Sequence, residues 1–254
     1  MERALRLTLR APLASFRRPL DINYQRTFPL PPPTTVFGLI GAALGLSEHD
    51  LWRTEGPVSA LKIAVWSEEC PGRGEDLWTL LKLYKGKMQR SPYLREILFG
   101  VRYTVLIGEA KAALRKEAPV SGSEEPSHSE IFRKLVKAFH DPVYPLSLGR
   151  EDELAEVESI TFETVEAGEP RFHGTVLPFD VRKFRLRPLL GSGERLVPPI
   201  VERVPLRFSV DKRGVRKPDR LTVMSFLAHG VEIEIPQASA WRCCGRNFVW
   251  MTGE

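Results

Sequence analysis

The chain has 254 residues, 43% of them hydrophobic, with 37 Lys and Arg against 32 Asp and Glu and only three cysteines. That much apolar content can build a full core, which excludes a disordered tail, and Cys70 with the adjacent pair Cys243 and Cys244 cannot make a disulfide framework. The longest apolar run, Val36 to Leu46, falls far short of the ~20 residues of a membrane span, so the expectation is a soluble, cytoplasmic protein with no membrane partner.

In chain order, Arg3 to Arg10 alternates Leu5, Leu7 and Leu9 with Arg6, Thr8 and Arg10, the period of a half-buried strand. A polar connection from Ala11 ends in the proline-rich stretch Phe28 to Pro33, which suits neither a helix nor a central strand. Thr34 or Thr35 then caps a predicted helix running to about Leu46, whose Gly38, Gly41 and Gly45 form a small-residue stripe for close packing. Val58 to Trp66 and Val101 to Ile107 are predicted strands. Between them, Leu77 to Leu98 is basic and aromatic, either an extended hairpin or a helix-loop excursion. Ser121 to Ser127 is a predicted loop, and Ser129 to Phe139 a predicted amphipathic helix ended by Asp141-Pro142. Val143 to Leu148 is the predicted fourth strand, closed by Gly149-Arg150.

The order strand, helix, strand, strand, helix, strand predicts an α+β fold with a ferredoxin-like (RRM-like) N-terminal domain over residues 1–158. Beyond it, short β-like runs at 160–165, 174–179, 200–208 and 231–235 predict a mostly β C-terminal subdomain over 159–254.

Charge is segregated along the chain. Residues 1–26 carry a net charge of +4, 82–116 a net +7 and 182–220 a net +8, whereas 151–170 hold eight acids and no base. Separate basic segments can converge on one groove that tracks a phosphate backbone. No His pair or Cys-x-x-Cys has metal-ligand spacing, and neither a phosphate-binding loop nor a dinucleotide fingerprint is present, so no metal and no cofactor are expected. A metal-independent ribonuclease would need only a base, an acid and a cation, and Tyr24 with His140 or His173 are the residues available for it.

Three stretches together resemble a known family. They are the first strand running into Ala11 to Arg17, the block Pro29 to Gly45, and Asp141 to Arg150; this combination is similar to the fifth Cas family, the RAMP-superfamily subunit of type I CRISPR Cascade complexes. The resemblance covers the N-terminal 150 residues, and the C-terminal half is similar only in being β-rich. It implies a subunit that binds the 5′ handle of the guide crRNA, contacts the large subunit, and meets the neighbouring backbone RAMP subunit through an inserted thumb at about 67–100. By the same resemblance Arg17, Arg18, Tyr24, Arg26, Thr34, Thr35 and Arg150 contact the handle, and Lys82, Lys85, Lys87 and Arg90 lie in the thumb. One branch of the family is itself an endoribonuclease cleaving CRISPR repeat RNA with a Tyr and a Lys-His dyad. This sequence has no adjacent Lys-His, which favours a non-catalytic member.

Overall fold

The computed structural model describes residues 2–21, 24–56, 58–110, 129–191, 196–230 and 232–253. The loop expected at 121–127 lies outside the described residues, as do Lys111, Arg115, Lys116, His128 and Val231.

The Leu/Arg alternation at the N-terminus forms β1 (Glu2–Ala14), whose Leu5, Leu7 and Leu9 are fully buried. It lies between β5 (Lys87–Glu109) and β6 (Glu156–Gly168), antiparallel to both, with Leu7 opposite Val105 on one side and Ile160 on the other. The 23 residues of β5 organise the rest of this sheet. Its C-terminal part pairs with β3 (Leu61–Ser67), its N-terminal part with β4 (Gly72–Tyr84), and two of its residues with the short parallel β2 (Tyr24–Gln25). On the β6 side, β13 (Ala240–Cys243) and β14 (Arg246–Phe248) complete eight strands.

One face of this sheet is covered by α1 (Pro33–Leu44), α2 (Glu48–Leu51) and α3 (Glu130–His140), with Ile40, Leu51, Leu135 and Phe139 packed into the same core as Leu5, Tyr103 and Val105. Trp66, Leu106 and Phe248 form a smaller core on the opposite face. The remaining strands make two three-stranded sheets: β8 (Val176–Leu177), β10 (Ile200–Val210) and β11 (Arg216–Phe226) in one, β7 (Arg171–Phe172), β9 (Arg187–Leu189) and β12 (Glu232–Glu234) in the other. Strands therefore dominate a mixed α+β architecture.

Two local expectations are corrected. Residues 143–148 are not a strand: Pro142 and Pro145 remove ladder donors, and the Val143 and Tyr144 amides instead donate to the carbonyls of Ala43 and Ala42 at the end of α1. The strand that completes this part of the sheet is the acidic segment itself, β6, which begins at Glu156, so it crosses residue 158. Its Ile160 and Phe162 face the core while Glu158 and Glu163 point outward to Arg102 and Arg6. The acidic block thus neutralises two arginines of the outer sheet face. Lastly, α1 is not capped by a threonine. Pro32 is the N-cap and makes no side-chain cap bond, Pro33 takes the first helical position where its missing N–H costs nothing, and Thr34 and Thr35 lie inside the first turn.

Leu77 to Leu98 resolves as a long hairpin. β4 and β5 pair residue by residue from Gly72↔Phe99 to Tyr84↔Lys87, and Lys85 and Gly86, both at positive φ, make the tight turn that suits the strand twist.

Candidate nucleic-acid interface

The candidate site is an open groove of about 660 Å³. Its floor is the segment 15–20 after β1, its end the first turn of α1, and its walls the base of the β4–β5 hairpin and strand β10. Arg17, Arg18, Arg26, Thr34, Thr35 and Arg150, six of the residues expected at a handle site, line this one groove. They reach it from four places in the sequence.

Local structure explains how. Residues 16–18 and 26–28 lie side by side, with an Arg17↔Thr27 bridge and backbone bonds between them. Asp21 locks the arginines of this loop: it receives three bonds from Arg26, two at 2.8 Å and one at 3.1 Å, and its carbonyl accepts from Arg17 at 2.6 Å. Hydrogen bonds from Arg26 hold the Asp21 carboxyl below the usual carboxylate range. Phe16 and Phe28 are core residues. Both are buried, Phe28 stacking on Phe226 with ring centroids 4.0 Å apart, so neither is available to a base.

Arg150 is positioned by a buried latch. Glu153, 3% exposed, accepts from the Ser15 amide (2.8 Å), the Ser15 hydroxyl (2.6 Å) and the Arg150 amide (3.0 Å). Burial pushes the Glu153 carboxyl above its ordinary value, against the opposing pull of those Ser15 donors. Gly149 stands beside the latch at φ +117°, where an added Cβ would sit 1.9 Å from the Ser15 carbonyl oxygen. Only glycine fits there.

Trp78 on β4 is the aromatic centre of the groove. The Arg150 guanidinium lies 3.8 Å from its ring centroid and that of Arg95 4.6 Å, and Arg95 is also paired with Asp76 at 2.8 Å. Arg18 is paired with Glu202 of β10. Even so, Arg18 Nε, Arg95 Nη1 and Arg150 Nη1 are all buried without a hydrogen-bond partner. Leaving a buried donor unmade costs about 1–3 kcal/mol each. Guanidinium donors left unmade in this way have the chemistry that acceptor oxygens of an anion would satisfy.

The other expected residues fall elsewhere. Tyr24 sits on β2 beside the groove, its hydroxyl donating to Glu75 (2.8 Å) and Glu96 (3.0 Å), and these bonds raise its pKa. A phenol held this way is poorly suited to act as a base. His140 ends α3 beside a separate cavity with Pro142, Leu146 and residues 156–160, on the far side of β1 and β5 from β2 in the sheet. Lys82 and Lys87 share the pleat face of Trp78 and Tyr93 further out on the hairpin, Lys85 is in the turn, and Arg90 lies on the other face, across from Leu81. Among the described residues no group of three or more His, Cys, Asp or Glu is placed to hold a metal, and no helix is long and apolar enough to cross a membrane.

Sequence reasoning missed Arg95, Trp78 and Phe208 as groove residues, and Glu153 and Glu202 as the carboxylates that hold Arg150 and Arg18. Period-two alternation along 77–98 held the signal for the first two, because it puts Trp78, Tyr93 and Arg95 on one hairpin face. Glu202 and Phe208 arrive by long-range packing of β10 and had no local signal.

The chain matches the family described as "CRISPR-associated protein (Cas_Cas5)" over residues 4–217. It belongs to the Cas5 family. Among solved structures, this Cas5 chain is similar to one titled "CRISPR RNA-guided surveillance complex", with a TM-score of 0.51 and 16% identity over 92% of this chain and 91% of that one. It is also similar to a CRISPR protein from Archaeoglobus fulgidus, with a TM-score of 0.48 and 11% identity over 98% and 99% of the two chains. No curated protein matches it in sequence.

Proposed function

We propose that this Cas5 chain is a Cascade-type subunit that holds the 5′ handle of the guide crRNA in the arginine groove and helps assemble the interference complex. The observation that carries this reading is the trio of unpartnered guanidinium donors on Arg18, Arg95 and Arg150 in one groove, the latter two against Trp78. Phosphate oxygens of a single-stranded RNA satisfy such donors, and an aromatic ring flanked by guanidinium planes is the chemistry that holds splayed bases. Arg17 and Arg26, with the Thr34 and Thr35 hydroxyls, add polar contacts along the same path.

The architecture supports the rest of the assignment. The order β6-β1-β5-β3, with α1 and α3 as crossovers, is read as a ferredoxin-like domain, and the β4–β5 hairpin as its inserted thumb. One face of that hairpin leaves Leu77, Leu81, Leu83 and Met88 55–74% exposed, an apolar strip suited to a neighbouring backbone RAMP subunit. The large subunit is the other assembly partner, in a cytoplasmic ribonucleoprotein. The reading is tested by equilibrium binding of repeat-derived handle RNA to the wild type and to an Arg18→Ala, Arg95→Ala, Arg150→Ala variant. A loss of affinity is expected, and equal affinity of the two folded proteins overturns it.

A further inference from the structure

The groove does not end at its arginines. Its far wall is β10, through Val204, Pro205 and Phe208, and β10 continues with β11 into a second hairpin whose outer half is strongly basic. Lys212, Arg213, Arg216, Lys217 and Arg220 are all exposed there. Arg216 is engaged, 3.4 Å from Glu48 and stacked over Phe208 at 5.4 Å. Among the described residues no carboxylate pairs with Lys212, Arg213, Lys217 or Arg220.

Two features shape the backbone that carries these cations. The turn is fixed by its own aspartate, the Asp211 carboxylate accepting from the amides of Arg213 (2.8 Å) and Val215 (3.0 Å) while Gly214 takes the positive φ. Within β11, Arg220 is in the left-handed region at φ +53°, unusual for a non-glycine residue in a strand. Such local strain re-aims a side chain and persists where function requires it.

Building on the proposed handle site, we infer that the β10–β11 hairpin is a second, sequence-independent contact for the guide RNA, taking the backbone of the nucleotides that leave the groove 3′ of the handle. Continuity of β10 with the groove wall and the sign of the charge favour RNA as the occupant.

The test compares the wild type with a Lys212→Ala, Arg213→Ala, Lys217→Ala, Arg220→Ala variant, titrated with a handle-length RNA and with the same RNA extended at its 3′ end by an arbitrary sequence. Arg216 is left intact because it is packed. The wild type is expected to bind the extended RNA more tightly, and the variant to lose that gain while keeping its handle affinity. Each phosphate left without its cation should flatten the salt dependence of single-strand binding by ~0.7 in log–log slope, so up to about 3 for four cations. An extended-RNA gain that survives in the variant, or its absence in the wild type, overturns the inference and leaves the handle site standing. That includes the case where the variant loses binding only to an acidic protein surface. Failure of the wild type to bind either RNA overturns both.

Discussion

Gly149→Ala is the sharpest perturbation available at the groove. The added Cβ would lie 1.9 Å from the Ser15 carbonyl oxygen, 2.9 Å from its carbon and 2.7 Å from Glu153 Oε2, so two backbone segments and a buried carboxylate must separate. A non-glycine residue held at φ +117° adds strain of ~1–3 kcal/mol. Pulling Ser15 away from Glu153 leaves a buried acceptor short of a donor, ~1–3 kcal/mol more. The expected destabilisation is therefore about 4 kcal/mol, which for a chain of this size lowers Tm by roughly 8–16 °C. Because the Arg150 amide belongs to the same latch, the variant, assayed where it is folded, should also bind handle RNA more weakly. Gly38→Ala is the control: nothing lies within 4 Å of its added Cβ, and in α1 it should gain ~1 kcal/mol. Differential scanning calorimetry and RNA titration read both effects. A Gly149→Ala protein with a Tm within about 2 °C of wild type, against that expected shift, and unchanged RNA affinity would refute the latch.

Phe28→Ala separates packing from base stacking. With Phe28 1% exposed and stacked on Phe226, truncation should cost ~3–5 kcal/mol of stability in urea unfolding and leave the RNA affinity of the remaining folded protein unchanged. The pH dependence of stability should carry the signature of His173, whose pKa is lowered to about 4, first by burial and then by Arg246 and His229. A lowered histidine pKa means that the unfolded chain binds more protons between about 4 and 6.5, so stability is full above that window and is lost as pH falls through it. Replacing His173 with Gln should flatten the urea midpoint between pH 6.5 and 4, and parallel wild-type and variant curves would refute the assignment.

The N-terminal strand and the second long helix, α3, were legible because each buries one face and the hydrophobic period follows directly, whereas α1, apolar nearly all round, was legible from its Pro/Thr start and its Gly-punctuated apolar run. The fourth strand was misplaced because Val143, Tyr144 and Leu146 look like a strand locally, whereas the prolines around them and the open carbonyls at the end of α1 decide otherwise. β6 was obscured by its acids and by the register shift opposite Thr8 and Leu9, which breaks the period-two pattern between Val157 and Ile160. That Arg17, Arg18, Arg26, Thr34, Thr35 and Arg150 share one groove has no local signature, since only tertiary structure brings residues 17 and 150 together. The same holds for the latch on Glu153, the Trp78 stack and the counter-charge Glu202, all long-range contacts with no local pattern. Charge segments mislead in one respect: Arg6 and Arg102 belong to basic stretches yet pair with the acidic strand and face away from the groove's chemistry.

We propose that the guanidiniums of Arg18, Arg95 and Arg150 meet RNA phosphates. Measuring handle-RNA affinity across a salt series, for wild type and the triple alanine variant, tests it directly. The expected result is a log–log slope shallower by ~2 in the variant, about 0.7 for each phosphate no longer neutralised, along with weaker binding at every salt concentration. Superimposable salt dependences would contradict it.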